Sequence, residues 1–120
     1  MVGKTASETY VHWWTGNYDL NMYPYLTENA FNTIAITWDE STAVLTLYVN
    51  GQKIGDSTAP NGITHDTVLK EGLTLGGGMQ SSWGNRVCKG KIYDFLVYSR
   101  ALSDAEVAQL HDYQAARFNS

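Results

Sequence analysis

The chain has little of what several functional classes require. Its 120 residues include one cysteine and only 17% charged residues, and its 8 basic against 12 acidic side chains give a net charge of −4. Because Cys88 is the single cysteine, an internal disulfide is excluded and a cysteine-based zinc site is disfavoured. The acidic balance offers no basic surface for nucleic acid or for an anionic membrane. We also expect no membrane span and no secretory signal, because no apolar run is long enough and the N-terminal residues are polar.

Glycine and aromatic residues are abundant instead. The chain contains 11 Gly, 8 Tyr and 4 Trp, and 43% of it is hydrophobic, which disfavours disorder. Aromatic residues suit a pleated, half-buried surface, and glycine suits tight turns. The length fits one domain, so we predict a single β-rich domain over residues 1–120.

Alternating apolar residues and turn signals predict short strands along the chain. The predicted strands are Thr9–Trp14, Tyr18–Tyr23, Phe31–Asp39, Ala43–Val49, Gln52–Gly55, Leu73–Leu75 and Lys89–Tyr98. Pro24 should end the second strand, since proline cannot donate to a ladder. Asn50-Gly51 is the strongest hairpin signal, and it predicts that Ala43–Val49 folds back on the next strand. Residues 56–68 and 76–86 are predicted loops.

One convincing helix is predicted, at the C-terminal end. Ser103 and Glu106 have the spacing of a capping box, in which each side chain accepts from the other residue's backbone N–H. Beyond them Val107, Leu110, His111 and Gln114 share one face, which is only half apolar. We therefore expect this helix to lie on the surface of the domain.

Several short motifs together are similar to one known family. The motifs are Trp38-Asp39, Tyr48-Val49-Asn50-Gly51, Leu75-Gly76-Gly77, Gly90-Lys91-Ile92 and Tyr98-Ser99-Arg100-Ala101-Leu102-Ser103. In this order they resemble the laminin-G-like jelly roll, within the concanavalin A-like lectin and glucanase fold, over residues 31–113. One departure is Tyr93, where the family usually has an acidic residue, although Asp94 follows directly.

The resemblance implies an all-β fold, an antiparallel β-sandwich (jelly roll) with one short C-terminal helix. It also implies that Trp38 belongs to a core strand. Similar domains carry further strands upstream, so the sequence looks like the C-terminal part of such a domain, N-terminally incomplete. Because an open sheet edge favours association, we expect self-association or a partner chain that completes the sheet.

Exposed aromatic residues are the strongest candidates for ligand contact. Trp83, Asn85 and Arg86 lie in the glycine-rich loop, and Trp13 and Tyr18 flank the first hairpin turn. Tryptophan and tyrosine in exposed positions stack on sugars or anchor protein interfaces. The alternatives are that Trp83 folds back onto the sheet, and that one Trp of the hairpin faces the core.

Metal and catalytic sites are poorly supported. Some laminin-G-like domains bind Ca²⁺, and the acids outside the helix are Asp39, Asp56, Asp66 and Asp94, but they form no calcium-loop motif. A turn-forming role is the alternative for Asp39. The histidines, His12, His65 and His111, lack metal-ligand spacing. The glutamates, Glu8, Glu28, Glu40, Glu71 and Glu106, never form the carboxylate pair of a retaining glucanase.

The sequence therefore predicts a non-catalytic binding or adhesion module without a cofactor, which recognises a glycan or protein surface through loops and exposed aromatic residues. The alternative is a structural subunit of a larger assembly, such as a virion decoration or tail-associated protein. Both alternatives predict an extracellular, cell-surface or virion-surface location. A glycosidase of the same fold is the third and weakest hypothesis.

Overall fold

A computed structural model of the protein describes residues 2–4, 9–13, 18–58 and 91–118. These residues form two three-stranded antiparallel sheets, a short 3-10 turn and a C-terminal helix. The elements are β1 (Val2–Lys4), β2 (Thr9–Trp13), β3 (Tyr18–Asn21), the 3-10 turn (Tyr23–Tyr25), β4 (Ile34–Asp39), β5 (Val44–Val49), β6 (Gln52–Thr58) and α1 (Asp104–Phe118). All of them belong to one compact unit, residues 1–61 with 98–120, and residues 62–97 form a second.

The first sheet has the strand order β1-β2-β3. Its β2–β3 pairing is the predicted hairpin, with Trp13 opposite Tyr18. β3 ends at Asn21, two residues earlier than predicted, because the chain enters the 3-10 turn. There the Asn21 side-chain oxygen accepts a hydrogen bond from the N–H of Tyr23 (3.0 Å), and Pro24 holds the tight backbone.

The second sheet has the order β4-β5-β6, with β5 in the centre. Asn50 (φ 52°) and Gly51 (φ 80°) both adopt positive φ, the conformation of a type I′ turn, so the predicted hairpin is confirmed. β6 continues to Thr58, three residues past the predicted end at Gly55. The extension depends on the pairing of β6 with β5 and not on local sequence. The register of the two strands shifts at an irregularity between Leu47 and Tyr48, and the pairing continues beyond it.

The buried core lies on one face of β5. Met22, Leu47 and Val49 are 0%, 0% and 2% exposed, and Leu26 and Ile54 pack against them. Leu47 and Val49 lie on one face, as their alternation predicted, and the segment around the 3-10 turn covers that face. The adjacent residues of β5 are buried as well, so this strand is covered on both sides.

The C-terminal helix begins as the capping box predicted. The N–H of Glu106 donates to the Ser103 hydroxyl (3.2 Å), and the N–H of Ser103 donates to the Glu106 carboxylate (3.0 Å). Val107 is buried, whereas Leu110 and His111 are half-buried. The helix thus rests on the domain through one narrow face, as expected for a half-apolar pattern.

The predicted last strand, Lys89–Tyr98, is wrong for the described residues 91–98, which form no regular secondary structure. Their apolar side chains are exposed instead; Ile92 and Phe95, for example, are 50% and 48% exposed. A strand needs a neighbouring strand to complete its hydrogen bonds, and none pairs with residues 91–98 in the described part of the chain. Strand-forming composition was therefore insufficient here.

Trp38, predicted for the core, is half-buried rather than buried. It lies in β4 opposite Leu45, which is 2% exposed. β4 is an edge strand of the described sheet, and its residues Ile34 and Ile36 remain 44% and 47% exposed. The edge position explains why side chains on the same face as the core are only partly covered.

Candidate functional site

An open groove of about 330 Å³ lies where the chain turns into α1. One side is formed by the corner that precedes the helix and the other by the first turns of the helix itself. The lining residues are Tyr98, Arg100, Leu102, Glu106, Gln109 and Leu110. The volume is at the lower end of the range for ligand sites, about 300–1,000 Å³.

A rigid ion pair forms the polar wall of the groove. The two terminal nitrogens of Arg100 donate to the two carboxylate oxygens of Glu106, at 2.9 and 2.5 Å, in a bidentate fork. Glu106 also accepts from the N–H of Ser103, so the capping box fixes its position. The hydrogen bonds from Arg100, and then that from Ser103, lower the pKa of Glu106 to about 2. The side chains remain 63% (Arg100) and 38% (Glu106) exposed, so the pair is presented to solvent.

The lowered pKa of Glu106 predicts an acid transition at this corner. The carboxyl is more acidic in the folded than in the unfolded chain, so its contribution to stability is present above pH about 4.5 and is lost as the pH falls towards 2. We expect the backbone signals of residues 103–107 to change in this window in an NMR titration. In the Arg100→Gln variant the transition should move to higher pH; an unchanged midpoint would show that the fork does not set this pKa.

The remaining walls of the groove combine an aromatic ring with apolar and amide groups. Tyr98 is 49% exposed, Gln109 is exposed, and Leu102 and Leu110 are half-buried. The groove thus offers a ring face, charged donors and acceptors held in place, and a side-chain amide. Such a surface can hold a shallow ligand that has one apolar face and many hydroxyl groups.

Two contacts fix the helix, and hence the groove, on the second sheet. The Tyr48 hydroxyl donates to the carboxylate of Asp104 at 2.5 Å. Burial, and then this hydrogen bond, raise the pKa of Tyr48 to about 12. Further along, His111 Nδ1 is hydrogen-bonded to the Thr33 hydroxyl (2.7 Å), and its ring lies over Gly51. The hairpin tip therefore positions the middle of the helix.

The hairpin tip is itself held by an asparagine pair. The Asn50 side chain accepts from the N–H of Thr33 (2.9 Å) and donates to the Asn32 side-chain oxygen (3.0 Å). Asn32 in turn binds the backbone of Thr27 (2.9 and 2.8 Å) and Ala30 (3.0 Å). The loop before β4 is thus tied to the turn between β5 and β6.

The predicted site residues fall in two groups. Trp13 and Tyr18 lie opposite each other in the backbone register of the first sheet, next to the hairpin turn. Trp83, Asn85 and Arg86 lie outside the described residues, so their predicted role stays a prediction.

The groove was not predicted from the sequence. The sequence indicated the cap between Ser103 and Glu106, but not that Arg100 would bind the same carboxylate. An arginine six residues before a helix-capping glutamate was the available signal.

The acids considered for calcium have local partners where the structure describes them. The Asp39 carboxylate accepts from the N–H and hydroxyl of Ser41 (3.0 and 2.6 Å), and these hydrogen bonds lower its pKa. Asp56 accepts from the Thr46 hydroxyl (2.8 Å), and Asp94 from the N–H of Phe95 (3.0 Å). Asp66 lies outside the described residues. Within those residues, no three metal-ligating side chains come together.

The family model Laminin_G_3, described as the concanavalin A-like lectin/glucanases superfamily, matches residues 2–108 of the chain. The chain belongs to this superfamily. Among solved structures, the domain is similar to an S-layer domain-containing protein from Clostridium thermocellum ATCC 27405, with 27% identity and a TM-score of 0.60. The match covers 80% of this chain and 46% of that structure, so the superfamily domain spans less than half of that neighbour.

A comparison with curated proteins found no significant match. Within residues 2–4, 9–13, 18–58 and 91–118, no helix is both long and apolar enough to cross a membrane. Membership of this superfamily fits a binding or structural module.

Proposed function

We propose that the protein is a non-catalytic glycan-binding module at a cell surface, and that the groove beside Tyr98 is a binding site. The observation that carries the proposal is the convergence, in one open groove, of an exposed aromatic ring with a bidentate Arg100–Glu106 fork and the amide of Gln109. A sugar ring presents an apolar face for the tyrosine and hydroxyl groups for the fork. The superfamily supports this ligand class.

Preorganisation strengthens the proposal. The Glu106 carboxylate accepts two hydrogen bonds from Arg100 and a third from the N–H of Ser103. The two side chains therefore lose little conformational freedom when a ligand binds.

Glycan binding should depend on Tyr98. We expect the Tyr98→Ala variant to lose at least about tenfold in affinity, or about 1.4 kcal/mol, for any glycan found on an array with the unmodified protein. Calorimetric titration measures the loss, with EDTA added in one arm to test for a calcium requirement. Tyr113→Ala is the matched control, because Tyr113 is likewise an exposed tyrosine but lies on α1 outside the groove.

The same titrations separate the predicted sites. Loss of binding in Trp83→Ala, with Tyr98→Ala unaffected, would assign the glycan to the glycine-rich loop and contradict the groove. Trp13→Ala and Tyr18→Ala test the first hairpin in the same way. Hydrolysis of a β-glucan by the protein would contradict a non-catalytic module.

A structural subunit of a surface assembly is the second candidate. The S-layer domain-containing neighbour and the exposed apolar residues between 92 and 98 favour it. On this alternative the sheets are completed into a jelly roll by another chain, and the aromatic residues are anchors between subunits. Stable assembly of the purified protein, with no binding across the glycan array, would favour this candidate over the first.

A further inference from the structure

The charged side chains of the groove compensate each other. Among the described residues that line it, Arg100 carries the positive charge and Glu106 the negative one, so this lining has no net charge. Hydrogen bonds from Arg100, and then from Ser103, lower the pKa of Glu106 to about 2, so the carboxylate stays ionised at neutral and mildly acidic pH. A ligand therefore meets a compensated ion pair and not a free cation.

The same ion pair occupies most of the hydrogen-bond donors of Arg100. A guanidinium group has five N–H donors. One terminal nitrogen donates to a Glu106 oxygen and to the Ala101 carbonyl oxygen (2.9 and 3.3 Å), and the other donates to the second Glu106 oxygen. Three donors thus have partners within the described chain, and two are left for a ligand.

These two donors suit a hydroxyl group better than an acid. A ligand carboxylate would share one positive charge with the Glu106 carboxylate, so two like charges would lie against the same guanidinium group. Like charges brought together at a binding surface weaken the wrong complex and thereby give specificity. A sugar hydroxyl meets no such repulsion, because it is uncharged and can both donate and accept.

We propose that Glu106 determines the specificity of the groove, by selecting uncharged glycans over glycans that carry carboxylate or sulfate groups. This inference rests on the proposed function of the groove. Asp104 also lies in the first turn of α1, and the two carboxylates outweigh the roughly half positive charge of a helix N-terminus. The net charge of −4 acts in the same direction.

Glycan pairs that differ in one group test the selectivity. Oligosaccharides ending in glucose or in glucuronic acid differ at the sixth carbon, which is a hydroxymethyl group or a carboxylate. Galactose and galacturonic acid give a second pair. In calorimetric titrations we expect the unmodified protein to bind the uncharged member of a pair at least about tenfold more tightly.

The outcomes separate this inference from glycan binding itself. Equal affinities within a pair, or tighter binding of the uronic acid, would contradict the selectivity and leave the glycan-binding function standing. Absence of binding to every glycan tested would overturn both proposals.

A glutamine in place of Glu106 removes the charge and keeps the shape. Glutamine also completes a capping box, so the Glu106→Gln variant should retain the start of the helix. Its amide has a single oxygen acceptor, which frees a guanidinium N–H and leaves a positive charge in the groove. We expect the preference for the uncharged member to fall from about tenfold to about twofold, or to reverse.

Asp112→Asn is the matched control for net charge. It removes one negative charge from an exposed position on the same helix, outside the lining of the groove. We expect this variant to keep the preference of the unmodified protein. If both variants changed the preference equally, the total charge and not the contact with Arg100 would set it, and the role of Glu106 would be refuted.

A double variant assigns the gained affinity to Arg100. Adding Arg100→Gln to Glu106→Gln should return the affinity for the uronic acid to within about twofold of its value in the unmodified protein. The reason is that the described lining then holds no cation. Uronic acid binding that persisted in the double variant would place the acidic ligand at another basic residue and contradict the proposal.

Discussion

Replacing Leu47 with alanine is expected to destabilise the fold by about 2–5 kcal/mol. Leu47 is fully buried in the central strand and packs in one cluster with Met22 and Val49. The loss combines the removed apolar atoms with a cavity that cannot fully collapse, because this strand is covered on both faces. Urea unfolding followed by tryptophan fluorescence measures the change.

A matched control lies directly across the sheet from Leu47. Ile36 pairs with it in β4 but is 47% exposed, so Ile36→Ala should cost less than about 1 kcal/mol. The comparison keeps the strand pair constant and changes only the burial. Similar losses for the two variants would mean that the core does not lie where the structure has it.

Gly51→Ala is expected to cost about 2–4 kcal/mol, from two separate causes. The backbone of Gly51 has a φ of 80°, which strains any residue with a Cβ. A Cβ there would also lie 3.0 Å from the Cβ of His111, so the helix would have to shift. Thermal or urea unfolding gives the total loss.

The two causes can be separated with a second residue. Asparagine tolerates the left-handed conformation better than alanine, so Gly51→Asn should keep the contact with His111 but reduce the strain. In a His111→Gly background the cost of Gly51→Ala should fall, because the Cβ at 3.0 Å and the imidazole atoms at 3.1 and 3.2 Å are all gone. Strict additivity of the two changes would contradict the contact between the hairpin tip and the helix.

The parts of the fold that sequence predicted are those fixed by local chemistry. Asn50-Gly51 can form a tight turn with little strain, and Ser103 with Glu106 satisfies backbone groups within one turn of helix. Both predictions needed only neighbouring residues. The extension of β6 to Thr58 depends on a shifted register against β5, which no short pattern encodes.

The predicted last strand, which the described residues 91–98 do not form, shows that local patterns can also predict too much. Residues 91–98 have strand-forming composition, but a strand is completed by its neighbour, and composition does not show whether a neighbour is available. The groove was missed for a related reason. The sequence placed Arg100 in the corner before the helix and Glu106 in the helix cap. Only the fold shows that the guanidinium group of the first binds the carboxylate of the second.

The asparagine at the hairpin tip has a chemical consequence. An asparagine followed by glycine deamidates readily, because the glycine N–H can attack the side-chain amide carbon and expel ammonia as a cyclic imide forms. In the folded protein both ends of the Asn50 amide are engaged, by the N–H of Thr33 and by Asn32, which restrains the carboxamide away from that attack. The folded turn should therefore slow deamidation of Asn50. We expect the fraction of deamidated Asn50, measured from peptide masses, to increase with the time that a molecule has spent unfolded.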